Sequence, residues 1–136
     1  MSAPEFRIRD EALEAVIAHA RAAQPAECCG MLLGTGHSID EAVRANNTAV
    51  SSTRFLIDPK DHIQARRDAR SRGLEVIGFY HSHPHSSARP SPTDVAEATY
   101  LEAVYLIVSL EGGGATVGLF RIEPGRAIEL PFASVA

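Results

Sequence analysis

With 136 residues, 45% of them apolar and 22% charged, the chain is long enough for one core, too short for two, and ordinary in composition for a globular domain. Its formal net charge of −4 argues against a broad nucleic-acid-binding face. The opening carries Glu5, Arg7, Arg9 and Asp10 with no secretory apolar region, and no apolar run approaches the ~20 residues that span a bilayer, so the expectation is a cytoplasmic protein with neither membrane nor nucleic acid as a partner.

The opening residues Phe6–Arg9 read as a short strand, and Asp10 follows as the N-cap of a helix whose apolar face is Leu13, Val16, Ile17 and Ala20. Pro25 ends that helix. "CCGMLLG", residues 28–34, is an apolar run bounded by turn formers and reads as a buried strand. Its neighbouring cysteines, Cys28 and Cys29, could form only a strained disulfide, so they are expected to be thiols in a reducing compartment, with one side chain in the core. Residues 38–49 and 55–57 read as further strand segments. Residues 58–73 carry an N-cap aspartate, a first-turn proline and a terminal glycine, which mark a helix, and their charge puts it on the surface. Residues 74–83 form a second strand, 84–90 a polar loop, and 91–98 the start of another helix. "AVYLIVSL" and "ATVGLFRI" are strands joined through "EGGG", a hairpin turn rather than a phosphate cradle, because no Lys-Ser/Thr follows it. Arg126–Leu130 adds a last edge strand. The order describes one α/β domain over residues 1–136, with no repeat and no linker.

"HSHPHSSARPSPTD", residues 81–94, holds three of the chain's six histidines in five positions. At a strand end His81 and His83 point to one face while Ser82 points to the other. Two imidazoles on one face can share a zinc ion, which favours nitrogen ligands in a tetrahedral shell and, when catalytic, leaves one position to water. Asp94, across the loop, is the candidate third protein ligand. The same residues have a plainer reading, with Ser91 as N-cap, Pro92 as first helical residue and Asp94 as the carboxylate of a capping box. The two readings are compatible, because a ligating carboxylate in a first turn is oriented by the N–H groups it caps. His85 as a fourth ligand would close the shell, and a loop position favours solvent exposure instead. His19, His37 and His62 receive no role. A nucleophilic Ser82 is disfavoured by the alternation that turns its Oγ away from both histidines.

Taken together, Glu27, His81-Ser82-His83-Pro84 and Ser91-x-x-Asp94 resemble the JAMM motif of the MPN+ metalloproteases, E…H-S/T-H-P-x6-S-x-x-D, without insertion or deletion. The "PAECCGMLLG" context of Glu27 is similar to that family's first motif, and the likeness runs from the first helix to "AVYLIVSL". The resemblance implies a three-layer α/β domain of the MPN, cytidine-deaminase-like type, with a curved mixed sheet between helices. It also implies one zinc ion on His81, His83 and Asp94. Glu27 would act as general base beside the zinc-bound water and then pass the proton to the leaving amine. Ser91 would hydrogen-bond the developing oxyanion or the water. Zinc lowers the pKa of its water towards ~7, and a positioned base typically contributes ~10²–10⁴-fold. Only the resemblance brings Glu27 near His81; read alone, it is an exposed acid in a helix–strand turn.

The activity so implied is zinc-dependent hydrolysis of peptide or isopeptide bonds at the C-terminal tail of ubiquitin-like or sulfur-carrier proteins, as in the short stand-alone prokaryotic members. The chain lacks room for the insertions with which eukaryotic deubiquitinases hold a second ubiquitin, so linkage-specific deubiquitination is not expected. A broad peptidase for small substrates is an alternative. Some members dimerise, which makes a homodimer a further expectation. The competing class is a non-catalytic MPN scaffold that binds partners; such relatives lose metal ligands, whereas all three positions and Glu27 are present here. A zinc deaminase would need H-x-E and P-C-x-x-C, and neither occurs.

Overall fold

The apolar runs of the sequence pair into one mixed sheet of eight strands. The structure, a computed structural model, describes residues 4–49, 51–98, 100 and 102–136. In chain order the elements are β1 (Phe6–Arg9), α1 (Asp10–Ala23), β2 (Cys29–Thr35), β3 (Ser38–Ala45), α2 (Pro59–Ser71), β4 (Glu75–His83), α3 (Pro92–Glu97), β5 (Val104–Ser109), β6 (Thr116–Glu123), β7 (Arg126–Leu130) and β8 (Phe132–Val135). The strand order is β7-β6-β5-β4-β2-β3-β1-β8, which puts β4 at the centre, antiparallel to β2 and parallel to β5.

Alternation along the strands divides the core in two. Leu32, Tyr80, Leu106 and Leu119 pack on Val16 and Ala20 of α1, while Met31, Phe79 and Tyr105 face the side of Ala65 and Ala69 of α2. The sheet therefore lies between helices, in the three-layer α/β arrangement that the resemblance implied. Cys28 and Cys29 are both buried free thiols on opposite sheet faces, so the core takes two side chains where one was expected. No helix among the described residues is long and apolar enough to cross a membrane.

The local readings hold for most elements and fail at identifiable places. Asp10 is not the N-cap of α1. Arg9 takes that position without a side-chain bond, because β1 remains paired with β8 through Arg9, and Asp10 becomes an acidic first-turn residue facing the helix dipole. Asp58 does cap α2, accepting a bond from the Lys60 amide. Residues 55–57 form no strand; Ile57 makes only an isolated bridge to Asn47, and β3 stops at Ala45. The glycine run bends as expected, with Gly112 and Gly113 at φ 73° and 83° between antiparallel β5 and β6. Arg126–Leu130 is an edge strand, but the chain continues past Pro131 into β8, which pairs parallel with β1 at the opposite edge.

Gly30 is required by a close approach. A Cβ there would overlap the Tyr80 ring and the Val43 carbonyl oxygen. That ring is buried, and its hydroxyl lies 2.7 Å from His19 Nδ1. Burial, with Arg44 nearby, lowers the His19 pKa to about 4, so the imidazole is neutral at neutral pH. Gly30→Ala is expected to destabilise the protein by about 3 kcal/mol, the upper part of the range for overpacking, and a urea unfolding midpoint measures it.

Candidate metal centre

Strand register assembles this site. Cys29 pairs with His81 across β2 and β4, and the Ser82 amide donates to the Cys28 carbonyl at 3.1 Å. One more alternation along each chain brings Glu27 level with His83, and positions two apart share a face. Glu27, His81 and His83 thus belong to the α2 side of the sheet, all buried. Ser82 points the other way, where its Oγ accepts the Cys28 amide at 2.8 Å, so it cannot serve the site as a nucleophile.

Asp94 arrives from the first turn of α3. Ser91 Oγ accepts the Asp94 amide at 3.0 Å and Asp94 Oδ2 accepts the Ser91 amide at 2.9 Å, a complete capping box. The same Oδ2 lies 3.0 Å from His81 Nε2 and 3.0 Å from His83 Nε2, and the two nitrogens are 3.2 Å apart. The cap and the cluster are one arrangement. His85 is exposed.

These three atoms form a triangle that hydrogen bonding alone does not explain. If both nitrogens carried protons towards one oxygen, the two N–H groups would also face each other. A tetrahedral shell with zinc–ligand bonds of ~2.0–2.1 Å has edges of about 3.3 Å, so the triangle nearly matches one face of such a shell. His83 Nδ1 lies 2.7 Å from the Ser87 carbonyl, which fixes that nitrogen as a donor and turns the Nε2 lone pair to the cluster. Among the described residues, His81 Nδ1 and Glu27 Oε1 are buried without a hydrogen-bond partner. The donor set fits a bound cation of the zinc type.

Without the ion, the same contacts set the electrostatics of the cluster. Burial pulls the His81 pKa down. Burial also pulls on His83, but its bonds to Asp94 and Ser87 outweigh that and raise it. Burial would raise Asp94, yet the hydrogen bonds from His81 and His83 hold its carboxyl well below the usual range. Desolvation is the main cause that lifts Glu27 from 4.5 to about 7, with His83 opposing and Asp94 adding to it. The cluster therefore combines three convergent ligand atoms with an acid that titrates near neutrality.

Several supporting residues carried no signal in the sequence. The Glu27 amide donates to the Ser51 carbonyl at 2.6 Å and its carbonyl accepts from Asn47 Nδ2 at 3.0 Å, so the 46–58 segment holds the backbone of the acid. Phe55 stacks on His81 with ring centroids 4.3 Å apart. Ser109 Oγ donates to the Ser86 carbonyl at 2.5 Å and fastens the 84–90 loop to the end of β5. All of these contacts join distant parts of the chain, so no local motif announces them.

Two buried histidines and a half-buried aspartate beside a neutral-range carboxyl are the layout of a metal-dependent hydrolase. A family model described as "Prokaryotic homologs of the JAB domain" matches residues 9–122. The chain belongs to this family, the prokaryotic branch of the JAMM/MPN proteins, and is a peptidase-type hydrolase. It is 32% identical to a desampylase of Haloferax volcanii, over 82% of this chain and 86% of that one. It is 34% identical to a CysO-cysteine peptidase of Mycobacterium tuberculosis, over 91% of this chain and 87% of that one. In fold it matches a JAB1/MPN domain protein from Archaeoglobus fulgidus at a TM-score of 0.65 and 22% identity, covering 99% of this chain and 100% of that one.

Proposed function

We propose that the chain, as one domain over residues 1–136, is a cytoplasmic zinc-dependent peptidase that cuts peptide or isopeptide bonds at the C-terminal tail of ubiquitin-like or sulfur-carrier proteins. The observation that carries this reading is the β2–β4 register, which puts Glu27 on the sheet face of His81 and His83, where Asp94 meets them and where Glu27 Oε1 has no hydrogen-bond partner among the described residues. The names of the desampylase and the CysO-cysteine peptidase support the substrate class. Two buried free thiols agree with a reducing compartment.

His81 Nε2, His83 Nε2 and Asp94 Oδ2 would hold the ion. When bound, the ion supplies a Lewis acid that polarises the scissile carbonyl and lowers the pKa of water. Glu27 takes one proton from the attacking water as the water oxygen bonds to the carbonyl carbon. It returns that proton to the amide nitrogen as the C–N bond breaks, leaving an amine and a carboxylic acid, which gives its own proton to solvent. Its burial, which lifts the pKa to about 7 in the metal-free protein, makes the Glu27 carboxyl a stronger base than a solvated one. Ser91 uses its Oγ lone pair to cap α3, which leaves the hydroxyl proton for the carbonyl oxygen as charge grows there.

The test is zinc content and cleavage in one preparation. We expect about one zinc per chain, the ion demanded by a single shell of these ligands, and release of a peptide fused behind the terminal glycines of a ubiquitin-like carrier. A folded protein without zinc would overturn the metal site. Zinc without cleavage of any such fusion would favour a partner-binding scaffold.

A further inference from the structure

A cavity of about 300 Å³ opens on the α2 side of the sheet and shares His81 and Asp94 with the metal centre. Phe55, Ile57, Phe79, Tyr105 and Ile122 line it, with His62 on the α2 side. The proton and metal chemistry above uses none of these six. The wall is built as a unit: the Phe79 and Tyr100 rings stack 5.1 Å apart, and His62 meets them edge-on at 5.2 and 5.6 Å. Burial, with Arg66 nearby, lowers the His62 pKa, so that ring adds no charge at neutral pH. At the mouth, Arg54 and Glu97 pair at 2.8 Å and tie the 46–58 segment to α3.

The exterior points to the same place. Among the described residues the exposed large hydrophobics are Leu56, Ile63 and Tyr100. Leu56 and Tyr100 belong to the lining of this cavity, and Ile63 follows His62 along α2. Leu56 and Tyr100 thus give this opening an apolar rim. The volume is at the lower end of the ~300–1,000 Å³ typical of ligand pockets, so it suits a side chain rather than a cofactor. A charged side chain would lose its water there and gain only Asp94 and an already paired Glu97.

We propose that this pocket is a specificity subsite that receives one large apolar side chain, of the leucine, methionine or phenylalanine kind, from the substrate polypeptide lying across the metal centre. The proposal rests on the hydrolase reading above. Since His81 and Asp94 are common to pocket and cluster, a chain whose bond sits at the cluster has its neighbouring side chains at the pocket mouth.

Binding to the metal-free protein tests this without relying on catalysis. The probes are acetylated tripeptide amides X-Gly-Gly and Gly-Gly-X, with X as Leu, Phe, Ala or Asp, followed by aromatic NMR signals of Tyr100 and Tyr105. In one of the two series, Leu or Phe is expected to bind roughly tenfold or more tightly than Ala and Asp, and to move both tyrosine signals. Ala98→Leu, which grows a side chain into the cavity, removes the preference. Leu56→Asp, at an exposed rim position that leaves the core intact, weakens the Leu and Phe peptides by a similar factor. Equal binding of Leu, Phe and Ala, or a preference that survives both variants, overturns the subsite. Preference without cleavage of any carrier fusion keeps the pocket and removes the hydrolase reading, and cleavage without preference does the reverse.

Discussion

Glu27→Gln is expected to lower the cleavage rate by about 10²–10⁴-fold while zinc content stays unchanged. Glutamine preserves the shape and the buried surface but can neither take up nor return a proton. The backbone of Glu27, held by Ser51 and Asn47, is untouched by the change. A metal assay beside the rate separates the roles: loss of zinc together with rate would make Glu27 a ligand rather than a base. The same variant has a second signature, in stability. In the metal-free protein the folded-state pKa of Glu27 is raised from 4.5 to about 7. Between those values the folded state binds more protons than the unfolded one, so stability is full below about pH 4.5 and declines as pH rises through about 7. At the field's conversion of ~1.4 kcal/mol per pKa unit, the cost at pH 8 is up to about 3 kcal/mol, and glutamine removes it. Urea midpoints of the metal-free parent and variant should agree at pH 4.5 and separate at pH 8, with the variant the more stable. Parallel curves across that window would mean that the acid is not desolvated.

That expectation could not have been reached from the neighbourhood of Glu27 in the sequence. "PAECCG" reads as a turn between a helix and a strand, where an acid is normally solvated. Its burial goes with the pairing of β2 with β4 and with the bonds that Ser51 and Asn47 make to its backbone, contacts that link residues far apart in the chain. The motif resemblance supplied the association; the register supplies its physical cause. Features fixed within a few residues were legible directly. The alternation that separates Ser82 from His81 and His83 is one. The "SPTD" helix start is another, since an N-cap, a proline and a carboxylate three residues on are all read within one turn. Where an element depends on its partner, local reading fails. Phe132–Val135 is short, follows a proline and is only half-buried, yet it is a strand because β1 offers it a free edge. Phe55 has strand-like neighbours but stacks on His81 instead, because the sheet face at the histidines leaves an aromatic surface to cover.

Asp94→Asn and Asp94→Ala should divide the two tasks that meet on one oxygen. Asp94 Oδ2 accepts the Ser91 amide and also faces both histidine Nε2 atoms. Asparagine keeps a carbonyl oxygen for the Ser91 amide, so the start of α3 should survive. It removes the negative charge that two neutral imidazoles need beside them to hold a dication. Zinc should therefore fall to background in Asp94→Asn, and the metal-free protein should lose some stability as well, because the charge that His81 and His83 hold in place goes with it. Alanine removes both functions, and the metal-free protein should lose a further ~1 kcal/mol, the usual worth of a helix cap. His83→Ala is the companion variant, expected to lose zinc while leaving the Ser91–Asp94 box in place. Zinc per chain and urea midpoints, measured on the same samples, distinguish the outcomes. Retention of about one zinc in Asp94→Asn would assign Asp94 to the cap alone. The triangle of His81, His83 and Asp94 would then be a consequence of helix capping beside two histidines rather than a metal shell. Loss in both Asp94→Asn and His83→Ala, with α3 stable in the first, would establish that the sequence uses one local device, the capped first turn, to aim a ligand at a site completed by a distant strand.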